Sequence, residues 1–200
     1  MSEQNKRKGF WIVTGVCGIL GTVLPLSLVI LATFLSSWFS WSANALSEMG
    51  VGEQAWLFNS AVMLGGFLNF IFVVGLYRFL KNNFWNRLGV ICLFISSICL
   101  GLVGIFTVDS MVLHGIFAGG YFLLTPAGFI FISKGAQDTF LRRLGLVCGI
   151  GALLSILVLP FGIFSLPFNV GFAVPELIES LFIMFWTIYA SFKLIKTEAI

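Results

Sequence analysis

The sequence predicts an all-α, polytopic membrane protein folded as one bundle of six transmembrane helices. Of its 200 residues, 59% are hydrophobic and only 10% are charged, and the mean hydropathy is +1.06. A soluble domain carries about 25% charged residues. Six long apolar segments and an uneven distribution of basic residues support the same class. This composition excludes a soluble enzyme, a nucleic-acid-binding protein and a disordered chain.

Six segments are long enough to cross a bilayer, which takes about 20 mostly apolar residues per helix. They lie at residues 10–35, 54–77, 88–107, 114–133, 144–164 and 175–195. A transmembrane barrel would instead show alternating segments of about ten residues. Because no long linker separates the segments, we expect a single domain over residues 1–200.

The basic residues predict the orientation of the bundle. All 11 lie before helix one, between helices two and three, between helices four and five, or after helix six. The intervening connections contain acidic residues and no basic ones. The positive-inside rule therefore places both termini in the cytoplasm and the protein in the cell membrane. The first segment is too long for the apolar region of a signal peptide, so we expect it to remain as a helix.

Tryptophans mark both predicted membrane boundaries. Trp38, Trp41 and Trp56 lie at the outer boundary, and Trp11 and Trp85 lie near the inner one. Such aromatic belts anchor helices at the interfaces. For the outer cluster, an aromatic cage around a ligand is the alternative interpretation.

A short helix is predicted after helix one. Ser42 is a suitable N-cap, and Gly50 is a suitable end. Residues at helical spacing form one face: Trp41, Ala45, Leu46 and Met49. This segment is expected to lie in the membrane interface or to fold down onto the bundle.

An internal repeat is indicated by two pairs of short matches. RLGVIC at 87–92 recurs as RLGLVC at 143–148, and GIFT at 104–107 recurs as GIFS at 162–165. These matches predict that helices three–four and five–six are parallel copies of one hairpin. Chance similarity between apolar helices is the alternative. Internal repeats are frequent in transporters.

The four cysteines show neither metal-binding nor redox spacing. Cys17, Cys92, Cys99 and Cys148 form no CxxC pair and have no histidine at ligand spacing. We therefore predict packing roles for them, with no metal site and no cofactor.

Polar residues near the outer ends of helices one, two, four and six are the functional candidates. Polar and ionisable groups are costly in hydrocarbon and often mark function there. The candidate ligand-binding residues are Asn44, Ser47, Glu48, Asn59, Asp109, His114 and Glu179. Asn69 lies deeper and is expected to point inward to a hydrogen-bond partner.

Structural roles compete for several of the ionisable residues. Asp109 fits a cap of helix four, and Glu176 fits the first turn of helix six. His114 is either a boundary residue bonded to a loop carbonyl or a proton carrier, ligand or metal contact. Glu179, one turn deeper than Glu176, is harder to explain as a cap.

Two blocks of sequence resemble a known membrane family. The first is WSANALSEMG at 41–50, followed by LFNS at 57–60 and the glycine pair at 65–66. The second is GIFTVD at 104–109 with His114 and the stretch around Pro126. Together they are similar to the family catalogued as domain of unknown function 998.

The resemblance extends from about residue 10 to residue 195. It implies a six-helix membrane protein of a kind common in archaea and bacteria, and it implies no activity. The polar residues shared with that family correspond to Asn44, Ser47, Glu48, Asn59, Asp109 and His114. The sequence at 107–109 departs from the family's usual proline-and-acid run.

Three functions are compatible with the sequence. The first is a protein that binds or passes a small cation, an amine or a lipid through an outward-facing polar cavity. The second is an intramembrane enzyme in which a carboxylate orients His114, although no catalytic motif identifies its residues. The third is an accessory subunit whose polar residues seal helix ends. Membrane lipid is the expected partner, oligomers are compatible, and nucleic acid is not expected.

Overall fold

The computed structural model describes residues 3–158 and 171–197, and these residues form helices and connections without strands. The six long helices are α1 (Glu3–Leu35), α2 (Ala55–Phe79), α3 (Phe84–Val103), α4 (Met111–Gly135), α5 (Thr139–Val158) and α6 (Ala173–Ile195). Two short 3-10 helices, Leu46–Gly50 and Val108–Ser110, lie in the first and third connections. All six long helices are long and apolar enough to cross a membrane, which confirms the predicted fold class.

Helices α3 and α5 begin earlier than predicted because polar residues cap them. The side chain of Asn83 accepts a hydrogen bond from the backbone N–H of Asn86 (2.9 Å). Asp138 accepts one from the backbone N–H of Leu141 (2.7 Å). Such N-caps satisfy amides that have no partner within the helix. The predicted end of helix five and the repeat match at 162–165 lie outside the described residues.

The helices form a closed ring in chain order, with α6 packed against α1. Consecutive helices are antiparallel, as the positions of the glycines show. Gly15 near the start of α1 lies beside Ile195 at the end of α6, and Gly65 in α2 lies beside Pro25. The start of α1 and the end of α6 therefore lie at the same end of the bundle. We call this the termini end, and the other the far end.

Glycines permit the closest helix contacts in the bundle. A Cβ atom on Gly66 of α2 would lie 2.5 Å from the backbone nitrogen of Gly101 in α3. The glycines of the matches at 87–92 and 143–148 lie near the termini end and face α4. Gly89 approaches the carbonyl of Gly128, and Gly145 approaches that of Phe129. The two matches thus occupy equivalent positions on either side of α4, while duplication itself stays a prediction.

Asn69 has the inward partner that the sequence predicted. Pro25 has no N–H, so the carbonyl of Gly21 receives no bond from the following turn of α1. The side-chain amide of Asn69 in α2 donates to that carbonyl at 3.0 Å. Pro25 thus leaves a free carbonyl in α1, and this carbonyl accepts the Asn69 amide of α2, whose burial without a partner would be unfavourable.

The half of the bundle nearer the termini end is filled by apolar side chains. Phe129 of α4 and Trp186 of α6 are stacked with ring centroids 4.1 Å apart. Leu76, Ile132 and Leu194 are fully buried around them. This packing closes the centre of the ring in the half nearer the termini end.

Candidate functional site

The connection after α1 folds down onto the far end of the bundle. Leu46 and Met49 of the 3-10 helix are buried against α1 and α2. This agrees with the second of the two predicted placements. The prediction that Ser42 caps this helix is wrong, because the helix begins only at Leu46. The hydroxyl of Ser42 instead contacts that of Ser40 (3.1 Å).

Asn44 and Glu48 form a local network that shapes this connection. The amide of Asn44 donates to the Glu48 carboxylate at 2.6 Å, and its oxygen accepts from the backbone N–H of Ser40 at 2.9 Å. Glu48 also accepts from the backbone N–H of Ala45 (2.9 Å). Both predicted site residues are therefore engaged in holding the loop.

Glu176 joins this connection to α6. Its carboxylate accepts a hydrogen bond from the buried backbone N–H of Leu46 at 2.6 Å. Its side chain is 7% exposed. Glu176 lies in the first turn of α6, as predicted, but its carboxylate caps the 3-10 helix of another segment instead of α6. An acidic group suits that position, since helix N-termini favour negative charge.

Glu179 is the most unusual polar residue of the described structure. It lies one turn after Glu176, its exposure is 0%, and neither carboxyl oxygen has a hydrogen-bond partner. A buried polar group without partners is expensive, so such a group calls for a functional explanation.

A cavity of about 90 Å³ lies under the 3-10 helix, in the centre of the ring. Its walls come from every long helix except α5. The polar groups around it belong to Thr22, Ser47, Tyr121, Glu176 and Ser180. Among the described residues, no basic side chain lines it. The cavity therefore has a carboxylate and several hydroxyls in its wall but no positive charge.

Hydrocarbon groups make up most of the remaining cavity wall. Val29, Phe58, Val62, Leu100 and Phe122 contribute to it from α1, α2, α3 and α4. Among the tryptophans of the described chain, none lines this space, and Trp38 and Trp56 are exposed at the far end. Their exposure agrees with anchoring at a membrane interface rather than with an aromatic cage.

A second, smaller cavity of about 30 Å³ continues toward the termini end. Tyr121 and Ile183 line both cavities. Hydroxyl groups continue along it, including those of Ser96 and Thr125, which are hydrogen-bonded to each other. Phe129 lies in its wall, and the stack of Phe129 on Trp186 follows. The polar groups thus extend to the middle of the bundle and end at an apolar layer.

His114, Asn59 and Asp109 do not line either cavity. The Nδ1 atom of His114 lies 2.8 Å from the carbonyl oxygen of Phe106, which matches its predicted role as a boundary residue. The side-chain amide of Asn59 donates to the carbonyl of Gly50 (3.0 Å). Asp109 is exposed in the 3-10 helix before α4.

The structure thus brings together only part of the predicted site. Ser47 lines the larger cavity. Glu179 lines neither cavity, although Glu176 and Ser180 on the same helix line the larger one. Asn44 and Glu48 support the covering connection. Within the described residues, no hydrogen bond or ion pair joins His114 to a carboxylate, and no cluster of three metal-ligating side chains occurs.

Two cavity residues were missed from the sequence. Ser180 lies one helical turn after Glu176, so the helical period predicts that the two residues share a face of α6. Tyr121 carries a hydroxyl into the middle of a membrane helix, which was also a visible anomaly. Glu176 was noticed but was assigned a purely local role.

Six membrane-spanning helices around a partly polar centre define a multi-pass integral membrane protein. The chain belongs to the family described as "Protein of unknown function (DUF998)", which matches residues 19–193. No curated protein matches the chain, and no solved structure matches it.

Proposed function

We propose that this protein binds a small primary amine, in its protonated alkylammonium form, in the cavity under the 3-10 helix. The observation that carries this proposal is the Glu179 carboxyl group, fully buried and without a hydrogen-bond partner. Glu179 does not itself line the cavity, but its neighbours in α6, Glu176 and Ser180, do, and its carboxyl is proposed to pair with the ammonium group when the ligand is bound.

Energetics favour a cationic ligand. A buried ionisable group without partners destabilises a fold by several kcal/mol. Glu176 has a structural partner in Leu46, whereas Glu179 has none. A ligand that supplies a positive charge and N–H donors offsets the unfavourable free energy of burying Glu179. Such a ligand would account for an acidic residue at this depth.

The cavity wall favours an amine with a short alkyl chain over a hydrated metal ion. An ammonium group has three N–H donors, which match the Glu179 carboxyl and the hydroxyls of Ser180 and Tyr121. Val62, Leu100 and other hydrocarbon groups suit an alkyl tail. The ring of Tyr121 also attracts a cation placed over its face.

The interior supports binding rather than passage through the bundle. Polar lining stops at the stacked rings of Phe129 and Trp186, and buried Leu76 and Ile132 fill the adjoining space. A ligand would therefore enter and leave from the far end. By the positive-inside rule this end faces outward, with the termini in the cytoplasm of the cell.

Thermal unfolding of the purified protein in phosphatidylcholine nanodiscs tests the proposal. Butylammonium chloride should raise the midpoint relative to potassium chloride at equal concentration. Bound ligand at 100 times its Kd stabilises a protein by about 2.7 kcal/mol. Glu179→Gln should abolish the difference between the salts. Glu53→Gln, which changes an exposed acid near the far end, should preserve it.

Two results would contradict the proposal. One is equal unfolding midpoints of the wild-type protein in the two salts across the accessible concentration range. The other is undiminished stabilisation by butylammonium in the folded Glu179→Gln variant. A series from methylammonium to hexylammonium then measures how long a tail the cavity accepts.

A further inference from the structure

A second site lies at the termini end, in a cleft between α4 and α5. The cleft has a volume of about 460 Å³. Lys134 from the last turn of α4 lines it together with Arg142 and Arg143 from the first turns of α5. Ser133 and Thr139 also lie in its wall. Three basic residues therefore line one open space.

Among the described residues, no carboxylate is paired with these positive charges. The nearest acid in sequence, Asp138, forms an ion pair with Lys193 of α6 at 2.7 Å. Within residues 3–158 and 171–197, none of the three cleft cations has a carboxylate partner. Lys134 lies over the ring of Trp85 (4.4 Å), and Arg142 donates to the carbonyl of Ser133 (3.3 Å). The cleft thus retains its positive charge.

The surface of α5 next to the cleft is apolar and faces outward from the bundle. Leu146 and Ile150 follow Arg142 at intervals of one turn, and Val147 follows Arg143 in the same way. All three apolar side chains are exposed. In a membrane-spanning helix, such side chains contact acyl chains. The arginines consequently lie at the head of a surface that lipid tails cover.

We propose that this cleft binds the phosphate group of an anionic membrane phospholipid. Arginine presents parallel N–H donors that match phosphate oxygens, and Lys134 adds a third charge. Basic pockets between membrane helices on the cytoplasmic side are suited to lipid head groups. The exposed side chains of Leu146, Val147 and Ile150 provide the surface for the tails. This proposal is independent of the amine site.

Lipid binding to the delipidated protein in a non-ionic detergent tests this site. Dioleoylphosphatidylglycerol should bind, and dioleoylphosphatidylcholine should bind far more weakly. The double variant Arg142→Gln/Arg143→Gln should lower the affinity for phosphatidylglycerol about 30-fold, given the contribution of each basic residue near an anionic surface. The charge-matched control is Lys81→Gln/Lys196→Gln, which removes two exposed cations from the same end.

The control and a competitor make each outcome decisive. Equal losses of affinity in the two double variants would overturn the proposal, because general attraction would then explain binding. Unchanged binding by the arginine variant would also overturn it. Complete displacement of the lipid by excess inorganic phosphate would identify free phosphate as the ligand instead. Equal unfolding midpoints of both variants in phosphatidylcholine nanodiscs confirm that the fold is intact.

Discussion

The carboxylate of Glu176 accepts a hydrogen bond from the backbone N–H of Leu46, 130 residues earlier in the chain, at 2.6 Å. This bond joins the start of α6 to the 3-10 helix over the central cavity. Because of this bond, the two acids on one face of α6 have different roles. Glu176 fixes the cover of the cavity, and Glu179, one turn deeper, is left without a partner.

Replacing Glu176 with alanine should destabilise the protein. The buried N–H of Leu46 would lose its acceptor, and an unsatisfied buried donor costs about 1–3 kcal/mol. Glu176→Gln should retain most of the wild-type stability, since its amide oxygen still accepts a hydrogen bond. The free energy of unfolding in nanodiscs measures both effects. Similar losses for Glu176→Ala and for the exposed Glu53→Ala would contradict the assignment.

Replacing Glu179 with leucine should have the opposite effect on stability. A buried polar group without hydrogen-bond partners costs free energy, and an apolar side chain of similar volume removes that cost. We therefore expect Glu179→Leu to unfold at a higher temperature than the wild type without amine, and to show no response to butylammonium. A strongly destabilised but folded Glu179→Leu protein would show that the carboxyl has a structural partner.

Alanine substitutions at two adjacent glycines in the contact between α2 and α3 should differ in their effect on stability. A Cβ at position 66 would lie 2.5 Å from the backbone nitrogen of Gly101, whereas a Cβ at position 101 meets nothing within 4 Å. Gly66→Ala should therefore cost about 1–3 kcal/mol through overpacking. Gly101→Ala should cost much less. Thermal unfolding of the two variants compares them, and equal losses would show that this close approach is absent.

The ion pair at the termini end should make stability depend on pH in acid. The hydrogen bond from Lys193, together with that from the backbone N–H of Leu141, lowers the pKa of Asp138 below its ordinary value of 3.8. Since the folded-state pKa is the lower one, this contribution is present above pH 3.8. It is lost as the pH falls through the folded-state pKa.

The variant Asp138→Asn isolates this contribution. Its stability difference from the wild type should be nearly constant between pH 5 and pH 7, at about 1 kcal/mol or less for a half-exposed pair. The difference should shrink in stronger acid. Unfolding by a neutral denaturant across this pH range measures it. A difference that grows as the pH falls below 4 would contradict the direction of the shift.

The number of helices and their placement in the chain could be predicted from hydropathy alone. Membrane spans depend on long apolar runs, which are a local property of the sequence. The starts of α3 and α5 were predicted several residues late, at the apolar runs that follow Arg87 and Arg143, and Asn83 and Asp138 were not considered as helix starts. Their side chains are caps, and a cap is recognisable only when its helix start is considered with it.

The composition of the site could be predicted only in part. Glu179 and Ser47 were among the candidates because polar residues are conspicuous in apolar surroundings, and Ser47 lines the cavity. The role of Glu176 depends on Leu46, and a contact between residues so far apart in the chain has no local signal. His114 and Asp109 lie near the same end of the bundle as the cavity without lining it. Hydropathy indicates depth in the membrane but not the direction in which a side chain points.

Equilibrium binding of radiolabelled butylammonium to the protein in phosphatidylcholine nanodiscs tests the central claim most directly. We expect saturable binding of one ligand per chain, lost in Glu179→Gln and retained in Glu53→Gln. Binding that persists in Glu179→Gln with the wild-type stoichiometry and affinity, or its absence from the wild-type protein, would contradict the claim that Glu179 holds the ammonium group.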